Sequence, residues 1–210
     1  MQTGKCVISD YLDELSSSSP IPGGGGVAAV TGALGVSLAS MVCSLTIGKK
    51  KYAEFEDRAK EIKEHALSLL QVFLKHADDD ATAFLPLSQA YSMPKETEEQ
   101  KNERNTVMQK ALLEAASVPL ELIRCCTETI YMFEELLEGG SVLAVSDVGV
   151  GARMISTAAE SALLNVYINT KMMDDKELAE RMNTEALENV ELTVLRLKTV
   201  FEQVVRKVKG

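Results

Sequence analysis

The longest apolar run in the chain, VAAVTGALGVSLASMVCSLTI from Val27 to Ile47, contains no charged residue. Ala28/Gly32, Ala29/Ala33, Ala33/Ser37 and Ser40/Ser44 repeat at a helical spacing that lets backbones approach closely. The run predicts a helix over 27–47 that is apolar on every side. Its length, and Lys49, Lys50 and Lys51 at its end, also suit a membrane span. Thr31, Ser37, Ser40, Ser44 and Thr46 dilute it, and no second run of comparable quality follows. It therefore reads as a core helix. It starts too far from Met1, and without the basic opening, to be a secretory signal.

Beyond the lysines, Tyr52, Phe55, Ala59, Ile62, Ala66, Leu69 and Phe73 recur three and four apart, which predicts a long helix over 52–90. The same seam extended reaches His76 and Asp80, then Ala83 and Leu87. A one-residue shift of face, onto Leu70, Leu74, Ala77, Ala81 and Phe84, instead leaves His76 and Asp80 in solvent. Periodicity favours the shift. An inward Asp80 is the alternative, and a ligand or partner subunit would have to account for it.

The remaining signals are also helical. Ser9 fits the N-cap of a short helix to Leu15, and Pro94 ends the long one. Thr97 with Gln100 has the capping-box pattern for a helix to Ala116. Pro119 then kinks the chain or starts a segment running to Glu138, which Gly139-Gly140 stops. Ser146 or Asp147 caps a second small-residue-rich helix, and Asp174 with Glu177 opens the last one. The expected fold is all-α: an antiparallel bundle of about six helices, with the two small-residue-rich helices central and residues 1–210 in one domain.

Composition narrows the function. Lys plus Arg number 22 against 31 Asp plus Glu, a net charge of −9, which excludes general nucleic-acid binding and makes Lys49–Lys51 stand out. Cys6, Cys43, Cys125 and Cys126 have no metal-ligand spacing, and His65 and His76 are the only histidines, so no metal site is expected. Both histidines read as surface residues. Reduced cysteines point to the cytoplasm.

Chemistry concentrates around Pro20–Gly26, PIPGGGG. Glycines before a helix let backbone N–H groups approach a ligand, and a helix N-terminus favours anions. GxxxxGK[ST] is absent and no strand precedes the glycines, so neither nucleotide fold fits. A flexible linker is the plainer reading of the glycines, and a solvated charge run that of the lysines.

Together, PIPGGGGVAAVTGALG…LTIGKKKY, DATAF at Asp80–Phe84, AYSMPK at Ala90–Lys95, SDVGVGA at Ser146–Ala152 and NVYIN at Asn165–Asn169 resemble the cyclodeaminase domain of the formiminotransferase-cyclodeaminase family. That family includes stand-alone methenyltetrahydrofolate cyclohydrolases. It usually reads PGGGS where this chain has Gly26. The resemblance implies an all-helical, dimer-forming folate enzyme. It would cyclise 5-formiminotetrahydrofolate to 5,10-methenyltetrahydrofolate with loss of ammonia, or alternatively interconvert the methenyl and 10-formyl forms. A tetrahydrofolate derivative, polyglutamylated, would be the substrate. No permanently bound cofactor, nucleic acid or membrane is implied.

Both reactions pass through a tetrahedral carbon and need proton transfer, for which Asp147 and Asp80 are the candidates. Helix capping is the structural alternative for Asp147. Gly23, Gly24, Gly25 and Gly26 would contact the ligand, Asn165 and Asn169 would read the pterin or tail as donors, and one of Lys49, Lys50 and Lys51 would turn inward to the tail carboxylates. A second subunit could complete the cleft. A helical oligomeric scaffold is the non-enzyme alternative, in which these residues would scatter.

Overall fold

The computed structural model describes residues 2–210. It contains α1 (Ile8–Leu15), α2 (Gly24–Thr46), α3 (Glu56–Ser92), α4 (Glu98–Glu128), α5 (Ile130–Gly139), α6 (Val145–Thr170) and α7 (Lys176–Lys209), with no strand among the described residues. Short 3-10 turns cover Thr3–Lys5, Lys50–Phe55 and Val142–Ala144. The two small-residue-rich helices are central, as expected: α2 packs on α3 and α6, and α6 on α2, α4 and α7.

Glycine sets how closely those helices approach. A β-carbon on Gly35 would stand 3.2 Å from the Gly151 carbonyl oxygen, and one on Gly151 would stand 3.2 Å from that of Gly35. The α2 and α6 backbones therefore cross where neither carries a side chain. Gly32 lies under Phe73 and Gly149 under Val204. All four glycines are thus used inside the bundle.

Both central helices have membrane-spanning length and hydropathy, with best windows averaging 1.8 in Gly24–Thr46 and 1.3 in Val142–Thr170. The sequence reading missed the second. Those windows are 61% and 50% buried in the protein, so packing accounts for much of their apolarity.

Several boundaries differ from expectation. α2 begins at Gly24, so three of the four glycines are helical, and among the described residues positive φ occurs only at Gly48 (75°) and Gly210 (84°). Ser9 lies inside α1, whose N-cap is Val7. α6 starts from the Val142–Ala144 turn with Ala144 as N-cap, leaving Ser146 and Asp147 in the first turn rather than capping it. Asp175, not Asp174, caps α7, accepting from the Leu178 amide at 2.9 Å. The Thr97–Gln100 box forms with both reciprocal bonds.

Pro119 does not restart the chain, because α4 continues through it to Glu128. Proline cannot donate to the carbonyl four residues back, and such an orphan normally breaks a helix. Asn169 of α6 supplies the missing donor, its Nδ2 bonding the Ala115 oxygen at 3.0 Å.

The α3 seam continues straight through the polar positions. Ala59, Ile62, Ala66, Leu69, Phe73, His76, Ala83 and Leu87 are all buried, which rules out the shifted face. His76 is therefore a core residue, and its Nδ1 has no hydrogen-bond partner. Its Nε2 lies 3.8 Å from Cys125 Sγ. Burial lowers its pKa below that of ordinary histidine; Asp79 and Glu121 oppose the shift and Lys75 adds to it. The stability associated with neutral His76 is thus fully present above the unfolded-state value of about 6.5 and is lost as pH falls through the lowered one. On going from pH 7.5 to 5.5, His76→Gln should lose less melting temperature, or gain more, than the wild type. The same change in both proteins would place the pH dependence elsewhere.

Candidate functional site

Asp80 reaches inward from α3 to the start of α2. A β-carbon on Gly25 would lie 2.0 Å from Asp80 Oδ1 and 2.5 Å from Cγ, so the carboxyl group occupies the space a side chain would need. The Gly26 amide donates to Oδ2 at 3.0 Å. Glycine thus serves here by absence of a side chain rather than by backbone freedom. Burial raises the Asp80 pKa above the ordinary carboxylate range, and the Gly26 bond pulls it part of the way back. The result is a carboxyl group held more weakly acidic than an ordinary aspartate, the direction an acid–base group needs.

Around it lies a cavity of about 230 Å³, walled by Gly23, Gly24, Gly25, Asp80, Asn165 and Asn169 together with apolar side chains that include Ile21, Phe84 and Ile168. Asn165 Nδ2 donates to the Ser161 carbonyl at 2.9 Å. Asn169 Nδ2 donates to the Ala115 and Asn165 carbonyls at 3.0 and 2.8 Å. Asn169 Nδ2 is thus fully committed to backbone, whereas Asn165 Nδ2 keeps one N–H. The pair can present carbonyl oxygens as acceptors as well as the Asn165 donor expected from sequence. Tyr91 and Met172 also line the cavity and meet each other, Tyr91 Oη to Met172 Sδ, at 3.5 Å. Sequence reasoning passed over both, although Tyr91 stands within the AYSMPK stretch.

The other candidates lie elsewhere. Gly26 is behind the cavity wall and acts through Asp80. Lys49, Lys50 and Lys51 follow the far end of α2, about 34 Å from its start at 1.5 Å per residue. All three are exposed, so none turns inward as expected, and Lys51 Nζ lies over the Tyr52 ring at 5.4 Å. Asp147, in the first turn of α6, is about 27 Å along that helix from Asn165. The Tyr52 hydroxyl accepts from the Val142 amide at 3.0 Å, which ties the lysine turn to the start of α6. One chain therefore has two poles: Gly23–Gly25, Asp80, Asn165 and Asn169 at one, Lys49–Lys51 and Asp147 at the other.

A larger groove of about 560 Å³ runs between α3, α4 and α7. It holds none of these candidates, and its Arg124 is bound by Glu121 and Glu185 at 2.7 and 2.6 Å. The smaller cavity is the candidate site, because Asp80 and the two asparagine amides meet there.

A sequence model of the formiminotransferase-cyclodeaminase family matches residues 7–188. A methenyltetrahydrofolate cyclohydrolase from Methylorubrum extorquens is 41% identical over 207 residues, 99% of this chain and 98% of that protein. The formimidoyltransferase-cyclodeaminase of Rattus norvegicus is 34% identical over 173 residues, and that match spans 32% of its length. The crystal structure of formiminotetrahydrofolate cyclodeaminase from Thermotoga maritima superposes with a TM-score of 0.81 at 28% identity, covering 99% of this chain and 98% of that one. With its fold and nearly its whole length matched, the chain belongs to the formiminotransferase-cyclodeaminase family.

Proposed function

We propose that this protein is a folate-dependent one-carbon enzyme that acts as a methenyltetrahydrofolate cyclohydrolase. The observation that carries the reading is the full-length match, at 41% identity, to a cyclohydrolase of that name. Cyclisation of 5-formiminotetrahydrofolate is the second reading, supported by the full-length likeness to the Thermotoga maritima cyclodeaminase. Both reactions meet at the carbon bridging N5 and N10.

In the hydrolytic direction that carbon is cationic, and its arrival favours ionised Asp80 in a cavity with no other carboxylate. The carboxylate takes a proton from the attacking water as the C–O bond forms. It returns that proton to N5 as the C–N5 bond breaks, leaving the formyl group on N10, and the hydroxyl proton of the tetrahedral adduct leaves to solvent. In the deaminase direction the same group protonates the departing nitrogen as N10 attacks, so ammonia leaves. The Asn165 and Asn169 oxygens suit pterin N–H donors. Supplying methenyltetrahydrofolate plus water in one assay and formiminotetrahydrofolate in another tests the assignment: absorbance of the methenyl form falls in the first or rises in the second. No change in either would overturn the enzyme reading in favour of a scaffold.

The cavity is smaller than the roughly 300–1,000 Å³ usual for sites of small-molecule ligands, so a whole folate must extend beyond it. Leu34, Met41 and Leu45 on α2 and Val150, Leu164 and Ile168 on α6 are exposed. We assign this apolar face to a second copy in a two-fold, cytosolic dimer. Because α2 and α6 carry opposite poles at their ends, a two-fold across them can set Lys49–Lys51 and Asp147 of one subunit beside the partner's cavity. The lysines would then meet the carboxylates of a polyglutamate tail.

Sedimentation of the wild type should give a species of twice 22.8 kDa, and Leu34→Glu with Leu164→Glu should give the monomer. Charge reversal at Lys49–Lys51 should weaken polyglutamates more than monoglutamates, with a gap that shrinks in salt. Mixing inactive Asp80→Asn subunits with charge-reversed ones should restore about a quarter of wild-type activity toward polyglutamates, since half the dimers are mixed and each has one intact site. No restoration would place each site within one subunit.

A further inference from the structure

Tyr11 on α1 is 8% exposed, and its hydroxyl is fully buried without a hydrogen-bond partner. Buried phenols normally find one, so an unpartnered hydroxyl in a packed helix contact calls for an explanation. It sits against Gly26: a β-carbon there would lie 3.5 Å from Tyr11 Oη, with the Ala77 carbonyl oxygen at 3.8 Å. The same Gly26 donates its amide to Asp80. Tyr11 Oη and the Asp80 carboxyl group therefore flank one residue of α2, with Tyr11 on the side away from the cavity.

The donor supply to Asp80 is short. Within the protein, the Gly26 amide is the one hydrogen bond it receives among the described residues. A neutral carboxylic acid tolerates that, whereas a buried carboxylate needs more donors. We propose that Tyr11 is a positioning residue for Asp80, its hydroxyl donating to the carboxylate when Asp80 is ionised. The last torsion of aspartate is broad, so the carboxyl group is free to reorient for this bond on ionising. The hydroxyl is thus uncommitted in the neutral state and engaged in the charged one. Tyr11 itself stays protonated, because burial, Asp80 and Cys6 all raise its pKa.

Few other ionisable groups compete. Cys6 faces Tyr11 from the N-terminal segment, and Asp78 on α3 is engaged by the Thr3 amide and hydroxyl at 2.9 and 2.7 Å. Tyr91 is the only other titratable side chain on the cavity wall. From α2 and α6, only uncharged glycines and asparagines face Asp80.

The proposal rests on the assignment of Asp80 as the acid–base group, and the test separates the two. Tyr11→Phe keeps the ring and removes the donor. Its pH–rate profile should show the limb due to Asp80 shifted upward by about one unit, the scale of a lost hydrogen bond to a charged group. Asp80→Asn and Asp80→Asn/Tyr11→Phe should have the same residual rate. An unmoved limb in Tyr11→Phe, or an added loss in the double variant, would overturn the Tyr11 proposal. Near wild-type turnover in Asp80→Asn would instead overturn the reading of Asp80 beneath it. Should Tyr11→Phe fold poorly, fluorotyrosine in place of tyrosine offers a second measurement, because a stronger donor should shift the limb downward, and no shift would count against the proposal.

Discussion

Asp80→Asn folds, melts at or above the wild-type temperature at pH 7, and loses at least about 100-fold in turnover, the usual contribution of a general base. The two halves share one cause. The carboxyl group lies over Gly25, takes one bond from Gly26, and has its pKa raised by burial. A group whose folded-state pKa is raised contributes stability below its unfolded value, and that contribution is lost as pH rises through the folded value. At pH 7 an ionised Asp80 therefore works against the fold. Asparagine has nearly the same shape, can accept from the Gly26 amide through its oxygen, and never ionises. Melts of both proteins should converge as pH approaches 4 and separate toward 7, with the variant higher. Turnover near wild type would make Asp80 structural. A variant that melts well below wild type at pH 7 would mean that the carboxylate stabilises the fold.

Asp147 shows how sequence and structure divide the work. On the chain, Asp80 and Asp147 look alike, each in a short matched motif near a helix signal. In the structure only Asp80 enters the cavity, while Asp147 sits at the opposite pole in the first turn of α6. Helical periodicity can place a residue on a face, and richness in small residues correctly made α2 and α6 central. For α3 periodicity favoured the wrong face, because a shifted face that leaves His76 and Asp80 in solvent fits the apolar residues slightly better. Packing decides that, since Phe73 fills the space above Gly32 and Asp80 the space above Gly25, and neither pairing is visible along one chain. The unbroken α4 was hidden for a similar reason, because the donor that replaces the Pro119 amide comes from Asn169, 54 residues beyond Ala115. What the resemblance assigned to a ligand at Asn169 is partly a debt owed to a proline.

Gly25→Ala should be nearly as damaging as Asp80→Asn, through space alone. The added β-carbon would lie 2.0 Å from Asp80 Oδ1 and 2.7 Å from Oδ2, far inside any real contact. Turning the carboxyl group about its last torsion does not relieve the clash, since Cγ itself would lie 2.5 Å from the added carbon, and α3 is packed on both sides of residue 80 by Ala77 and Ala83. Asp80 must leave its place, and turnover should fall by about 100-fold, as it would on losing the base itself. Stability should fall by about 1–3 kcal/mol, the ordinary cost of overpacking. The control reverses the sign. With Asp80→Ala already in place the obstructing atoms are gone, and glycine to alanine within a helix should then stabilise by about 0.5 kcal/mol. Chemical denaturation of the four proteins measures this directly: Gly25→Ala should destabilise the wild type and stabilise the Asp80→Ala protein. The neighbouring Gly24→Ala, whose β-carbon would stand 3.8 Å from the Asn165 amide, should cost little in either background. The same stability cost for Gly25→Ala with and without Asp80 would show that the carboxyl group is not what keeps residue 25 a glycine, and would remove the contact on which the geometry of the site depends.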